Sequence, residues 1–265
     1  MSPPKVALVT AGSAGLGASI ARVLALDLGM SVTINYTHNA ARAELMVREL
    51  QSAYAARQTT NPPHPPVFQA IQADLLSKAE VTRLVKATTD LSGGRLDVVI
   101  SNMGWTQMRN FSDLDDGVVE EDWDRCFAAN VKSHLWLFHA ARKYLEESNK
   151  RDEGSAVFVS TASVAGVKPS GSSLPYAVTK AAQIHLVKSL ATICAPSIRV
   201  NSVSPGVVLT DWGLSFPEER LAMVKEANKL KRFTTMEDVA EQVRTFVVSK
   251  TVTGQNTIID AGFSL

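Results

Sequence analysis

Tyr176 and Lys180 stand four residues apart, and Ser163 precedes the tyrosine by thirteen. On a helix, positions i and i+4 share one face about one turn apart. A phenol with its ordinary pKa near 10 is a poor acid–base group at neutral pH. A lysine ammonium held beside it favours the phenolate and pulls that pKa down. Such a tyrosine can give a proton to a substrate oxygen or take one from it. Of the four tyrosines, at 36, 54, 144 and 176, only Tyr176 has a lysine at this spacing.

The elements that must hold this trio follow from apolar patterning. Val6-Ala7-Leu8-Val9 reads as a buried parallel strand ending at a glycine-rich turn. Residues 15–29 carry apolar positions at helical spacing and stop at Gly29. Further strands are predicted at 31–36, 67–72, 96–101, 156–160, 198–203 and 257–260. Helices are predicted at 39–57, 77–91, 118–147, 175–194, 215–230 and 236–249. This alternation implies an α/β protein with a doubly wound, mostly parallel seven-stranded sheet and helices on both faces. No repeat or change of composition divides the chain, so one domain over 1–265 is expected. The proline-rich segment at 59–66 enters the third strand at its N-terminal end. Ligands of such sheets sit at the carboxyl ends, so this insertion and the charged stretch 149–154 are expected on the face away from the chemistry.

The 265 residues carry a formal net charge of +1, which argues against a general nucleic-acid binder. Cys126 and Cys194 have no paired spacing and read as buried free thiols of a reducing compartment. The N-terminal residues Met1 to Lys5 lead into an apolar stretch too short to span a membrane, and a cytoplasmic location is the expectation. The five histidines, at 38, 64, 134, 139 and 185, lack metal-ligand spacing, and no metal is expected. His134 and His139 read as decoration of a helix.

After the first strand comes Thr10-Ala11-Gly12-Ser13-Ala14-Gly15-Leu16-Gly17. Glycines there let a pyrophosphate approach the backbone, and the following helix offers free N–H groups. At this point the sequence resembles the short-chain dehydrogenase/reductase family over nearly its whole length. The family turn Thr-Gly-x-x-x-Gly-x-Gly matches residues 10–17, with Ala11 in place of the first glycine. The Asn-Asn-Ala-Gly segment becomes Ser101-Asn102-Met103-Gly104. The helix-borne asparagine matches Asn130, the serine Ser163, and the Tyr-x-x-x-Lys Tyr176 and Lys180. Pro205, Gly206 and Thr210 match the later Pro-Gly and threonine, and Gly254, Gln255, Asp260 and Gly262 the family ending. Asn201, Gln255 and Asp260 also read as residues that bond backbone at strand ends.

The resemblance implies a Rossmann-like fold and hydride transfer between nicotinamide and a carbon bearing oxygen. It implies that Tyr176 exchanges the proton, Ser163 bonds the same oxygen, Lys180 lowers the Tyr176 pKa and bonds the nicotinamide ribose, and Asn130 holds a water in a proton relay. The implied cofactor contacts are Thr10, Gly12, Ser13, Gly15, Leu16, Gly17, Asn102, Met103, Gly104, Tyr176, Lys180, Pro205, Gly206, Val208 and Thr210, with Asp74 and Leu75 at the adenine. Homo-oligomers, tetramers or dimers built from the long helices 118–147 and 175–194, are also implied.

The second strand ends Asn35-Tyr36-Thr37-His38-Asn39 without the acid that commonly binds the ribose of NAD. Its absence permits NADP. Tyr36, Thr37, His38 and Arg42 are the candidate contacts, with a solvated helix face as the other reading of Arg42. Met103, Trp105, Leu174, Val208, Trp212 and Phe216 are expected to line the substrate pocket. With no Arg or Lys among them, an apolar or aromatic ketone or alcohol is the expected substrate, and 208–230 the expected lid. The alternatives are a non-catalytic NADP-binding sensor, which needs no Ser163, Asn130 and Lys180 together, and a methyltransferase, which gives Tyr176 and Lys180 no role.

Overall fold

The computed structural model describes residues 3–59 and 62–265. Met1 and Ser2, and Thr60 and Asn61 of the proline-rich insertion, lie outside the described residues. The elements run β1 (Val6–Val9), α1 (Gly15–Leu26), β2 (Ser31–Tyr36), α2 (Ala40–Arg57), β3 (Phe68–Gln72), α3 (Lys78–Asp90), β4 (Val98–Ser101), α4 (Glu120–Phe127), α5 (Ser133–Arg151), β5 (Val157–Thr161), α6 (Leu174–Cys194), β6 (Arg199–Pro205), α7 (Glu218–Ala227), α8 (Met236–Val248) and β7 (Asn256–Ile259). The strands form one sheet in the order β3-β2-β1-β4-β5-β6-β7, and every neighbouring pair is parallel.

Period-two alternation sends β1 side chains to opposite faces. Ala7 and Val9 join a core with α1, α2 and α8, while Val6 and Leu8 join one with α3, α5 and α6. The central strands β1 and β4 therefore read as near-continuous apolar runs because both faces are covered. Chain order reverses between β1 and β4, which opens a crevice at their carboxyl ends.

The predicted helix over 118–147 is three pieces. A π-helical turn at Ala128–Lys132 separates α4 from α5. Its extra residue re-phases α5 relative to α4, and such turns mark functional sites. Helix α6 starts where the Ser173 hydroxyl accepts from Tyr176 N at 3.3 Å, with Pro175 in the first turn. That cap fixes where the helix carrying Tyr176 and Lys180 begins. Helix α7, by contrast, buries no residue.

The far end of the sheet holds structural polar groups. The described part of 59–66 leads into the start of β3, and Asp152 pairs with Lys5 and Lys250 near the start of β5. Arg199 donates to Phe246 O at 2.6 Å and Val247 O at 3.2 Å, satisfying the last carbonyls of α8. Cys126 and Cys194 are buried free thiols.

Candidate active site at the carboxyl ends of the strands

The glycine turn is built by hydrogen bonds from the neighbouring strand ends. Thr10 is fully buried: its N–H and hydroxyl both donate to Ile100 O, and its hydroxyl accepts from Asn102 N at 2.8 Å. Thr10 thus ties β1 to β4 and does not face the cavity, unlike the expected cofactor contact. Asn35, whose role is not legible in the sequence, is the second tie. Its Oδ1 accepts from Ala11 N at 3.3 Å, and its Nδ2 donates to Ala73 O at 3.0 Å and Tyr36 O at 3.1 Å. An asparagine following the apolar Val32 and Ile34 of an interior strand was the available signal.

A Cβ on Gly12 would sit 2.8 Å from Ile34 and 2.9 Å from Val9 O, so the turn closes only with glycine there. Gly17 likewise packs on the Ala11 backbone and Asn102. Gly15 has φ +51°, and Ala11, standing where the family has glycine, has φ +47°. Helix α1 then begins with no side-chain cap and no acidic residue in its first turn. Its free N–H groups and positive dipole end face the crevice. Ser13 lies part-exposed in this turn.

Beside it opens a cavity of about 670 Å³, lined among others by Gly15, Leu16, Asn102, Met103, Gly104, Thr161, Ser163, Tyr176, Lys180, Pro205, Gly206, Val208 and Thr210. Ser163 opens a short 3-10 turn, Val164–Gly166, after β5 and caps it, accepting from Ala165 N at 3.2 Å. The turn presses Gly166 onto the α6 backbone at Lys180, which brings Ser163 within hydrogen-bond reach of the Tyr176 phenol. Lys180 Nζ lies 5.6 Å from the Tyr176 ring centre and donates to Gln183 Oε1 at 2.9 Å and Thr161 O at 3.1 Å.

The phenol is not depressed, contrary to the expectation. Burial pushes Tyr176 up to about 12, with the Ser163 hydrogen bond acting in the other direction. Burial also pulls Lys180 down to about 7. Lys180 is therefore uncharged over the pH range in which the phenol would ionise, and lends it no positive charge there.

Asn130 is fully buried on the π turn. Its Oδ1 accepts from Trp105 N at 2.8 Å, and its Nδ2 donates to Trp105 O at 2.9 Å and Thr179 Oγ1 at 3.0 Å. A Cβ on Gly104 would stand 3.4 Å from Lys180 Nζ and 3.5 Å from Asn130 Oδ1, so the glycine leaves open the space these two share. His134 does not decorate a helix surface: it is 1% exposed, and its Nδ1 lies 2.6 Å from Ser101 Oγ. Burial, then the charge of Lys180, pull it down to about 3. His139 is exposed.

The pocket wall differs from the expectation at three positions. Trp105 does not line the main cavity; its ring stacks under the Arg125 guanidinium at 4.6 Å. Leu174 turns away and covers Gly117. Arg220 of α7, absent from the expected wall, does line it; its guanidinium donates to Gly171 O and lies 4.9 Å from the Phe216 ring centre. No acid pairs with it among the described residues, and the residue spacing over 218–227 does not tell which helix face meets the cavity. Met103, Val208, Trp212 and Phe216 line the wall as expected, with the Trp212 ring edge-on to Tyr176 at 5.8 Å.

Tyr36, Thr37, His38, Arg42, Asp74 and Leu75 stand beyond this cavity, at and after the ends of β2 and β3. Arg42 reaches across to the rim, donating to Asp211 Oδ2 at 3.0 Å. Asp74 accepts from Leu76 N at 2.9 Å, and the Leu75 side chain belongs to the core, leaving only its backbone for an adenine. Asn201 and Asp260 bond backbone: Asn201 accepts from Gln255 N, and Asp260 from Gly262 N and Ser264 N.

A family model described as enoyl-(acyl carrier protein) reductase matches residues 10–264. Dehydrogenase/reductase SDR family member 4 of Homo sapiens is 34% identical over 264 residues, which is 97% of this chain and 87% of that protein. The 3-oxoacyl-(acyl-carrier-protein) reductase FabG of Staphylococcus aureus is 30% identical over 266 residues, 99% of both chains. A solved short-chain dehydrogenase of Burkholderia cenocepacia in complex with NADP matches the fold with a TM-score of 0.84 at 29% identity, over 99% of both chains. Since sequence and fold agree from the glycine turn to the last strand, the chain belongs to the short-chain dehydrogenase/reductase family of nicotinamide-dependent oxidoreductases.

Proposed function

We propose that the chain reduces the carbonyl of an apolar or aromatic ketone with NADPH, with Ser163, Tyr176, Lys180 and Asn130 as its working residues. The observation that carries this reading is the convergence of Ser163, Tyr176 and Lys180 on one cavity that also takes in Gly15 of the glycine turn. A nicotinamide dinucleotide fits these residues. The uncapped start of α1 suits a pyrophosphate. Thr161 Oγ1, buried among the cavity-lining residues without a partner, awaits a polar group.

The nicotinamide, when bound, supplies hydride to the carbonyl carbon or accepts it from an alcohol. Tyr176 gives its phenolic proton to the carbonyl oxygen, and a phenol held protonated by burial is in the right state for reduction. The Ser163 hydroxyl donates to the same oxygen as charge develops. Lys180 keeps one ammonium proton for the cofactor ribose, its other two being engaged by Gln183 and Thr161. Asn130 faces the space beside Lys180 through which a water would return the proton. Trp212, Phe216 and Met103 keep the reacting carbon dry.

The choice of NADPH rests on the missing acid after β2 and on Arg42, a cation at the start of α2 just after that strand. A second reading, reduction of a 3-oxoacyl thioester, is favoured by Arg220 at the cavity and by the activity of the FabG relative. We read residues 1–265 as one domain acting as a cytoplasmic homo-oligomer. Exposed Phe127, Leu135, Val178 and Ile193 on α4, α5 and α6 supply apolar contact area. Among the described residues no helix is long and apolar enough to cross a membrane.

The test is NADPH consumption over a panel of aryl ketones, aliphatic ketones and 3-oxoacyl thioesters, with Tyr176→Phe alongside. Turnover of aryl ketones that drops at least about 100-fold in Tyr176→Phe is expected. Preference for the thioesters would select the second reading. Tight NADPH binding with no turnover of any compound would favour the sensor instead.

A further inference from the structure

Behind Lys180, away from the cavity, lies a closed polar cluster that the proposed chemistry does not use. Gln183 is one turn further along α6 and fully buried. Its Oε1 accepts from Lys180 Nζ at 2.9 Å. Its Nε2 donates to Ser160 Oγ at 2.6 Å and Thr161 O at 3.1 Å, and lies 3.2 Å from His134 Nε2. His134 in turn meets Ser101 at 2.6 Å. The amide is therefore held at both ends: β5 and α5 fix its nitrogen, and its oxygen fixes the lysine.

A buried primary amide is costly unless its groups are paired. An apolar side chain would fill the same volume without that requirement. Among the described residues, Gln183 is the one side chain that hydrogen-bonds Lys180 Nζ. We propose that Gln183 is a positioning residue of the site: its amide oxygen aims the Lys180 ammonium at the cavity and favours its charged form. This rests on the functional reading above, in which Lys180 contacts the cofactor.

The groups facing Lys180 leave its titration legible. Tyr176 shares its helix, Cys126 faces it from α4 and His134 from α5. Ser160 and Thr161 of β5, Asn130 of the π turn and the residues of Val164–Gly166 are neutral, Asp211 and Arg220 line the same cavity, and Arg199 sits at the far end of β6. Cys126 is pushed up to about 11 by burial, Tyr176 up to about 12 and His134 down to about 3, so none of the three titrates near Lys180 at about 7.

The experiment is NADPH affinity against pH, read by nucleotide fluorescence, for the wild type, Gln183→Met and Gln183→Glu; no ketone is needed. Wild-type affinity should weaken as pH rises through the Lys180 ionisation. Gln183→Met removes the acceptor from the ammonium, and the midpoint should move down by about one pH unit. Gln183→Glu puts a carboxylate there, and the midpoint should move up. Opposite shifts from two substitutions at one buried position are not a signature of damaged packing. If Gln183→Glu fails to fold, the downward shift in Gln183→Met together with an unchanged profile in Ser101→Ala decides alone. An unshifted midpoint in Gln183→Met, or shifts of the same sign in both variants, overturns the proposal. Failure of the functional reading looks different: wild-type NADPH affinity then shows no midpoint at the Lys180 ionisation, whereas failure of the Gln183 proposal leaves that midpoint in the wild type and unmoved in Gln183→Met.

Discussion

Gly166→Ala changes the spacing between Ser163 and helix α6, which carries Tyr176 and Lys180. A Cβ on Gly166 would lie 2.5 Å from Lys180 C, 2.7 Å from Ala181 N and 2.7 Å from Lys180 O. Real Cβ atoms do not come closer than about 3.0 Å, so the turn and α6 must separate by roughly 0.5–1 Å. The obstruction is main chain on α6, and no side chain can swing aside. Overpacking of this kind costs about 1–3 kcal/mol, or roughly 2–12 °C in Tm for a chain of this size. The same displacement carries Ser163 away from Tyr176, and a misplacement of about 1 Å can cost on the order of 100-fold in rate. The expected result is a fall of about 10- to 100-fold in kcat, measured by NADPH consumption below the melting range, with NADPH affinity changed far less. Gly29→Ala is the control: it has φ +61° and nothing within 4 Å, so it strains the backbone remote from the site. It should lower Tm by a few degrees and leave kcat alone. A Gly166→Ala enzyme with kcat within about twofold of wild type would refute the reasoning, because the separation would then have been absorbed without moving Ser163.

Ala11→Gly relieves a left-handed alanine and should raise stability by about 1 kcal/mol, seen as a Tm increase of about 2–4 °C; a decrease would show that the alanine is not strained. Asp211→Asn frees Arg42 and removes an acid from the rim, so KM for NADPH should fall, while Arg42→Ala should raise it about tenfold or more and leave KM for NADH nearly unchanged. Equal effects on both nucleotides would remove Arg42 from the 2′-phosphate contact. His134 is neutral when folded down to about pH 3 and ordinarily titrates near 6.5 when unfolded, so the unfolded chain binds the extra proton between these values. Its contribution is fully present above about pH 6.5 and is lost as pH falls toward 3, by up to on the order of 4 kcal/mol. His134→Asn should flatten the decline of Tm over that range, and an unchanged decline would mean that other groups carry it.

The sheet and the reacting trio were legible because they rest on periodicity and short spacing. Four-residue spacing on α6 has one geometric outcome, and an apolar run followed by a glycine turn has nearly one. His134 faces the core and His139 the solvent although both stand on α5, and the sequence marks neither position as inward; the extra residue of the turn at Ala128–Lys132 also breaks the helical phase before them. Trp105 and Leu174 sit next to loops, where neighbouring side chains choose the direction and spacing is silent; Asn130 binds the Trp105 backbone and leaves its ring to Arg125. The Tyr176 pKa was misjudged because a nearby lysine was weighed and the burial of both groups was not. Asn35 and Gln183 escaped because a buried amide announces itself only once its partners, distant in sequence, are folded around it.

Helix α7 contributes cavity wall through Arg220, Leu221 and Val224, yet it buries no residue in the core. Substitutions along it therefore do not draw on the stability of the sheet, whose margin is only about 5–15 kcal/mol in a typical domain. The wall that α7 lends the cavity is thus physically separable from the packed sheet beneath it. New substrate ranges can be reached by changing α7 while Thr10, Asn35, Gly166 and the α6 cap keep the reaction itself unaltered.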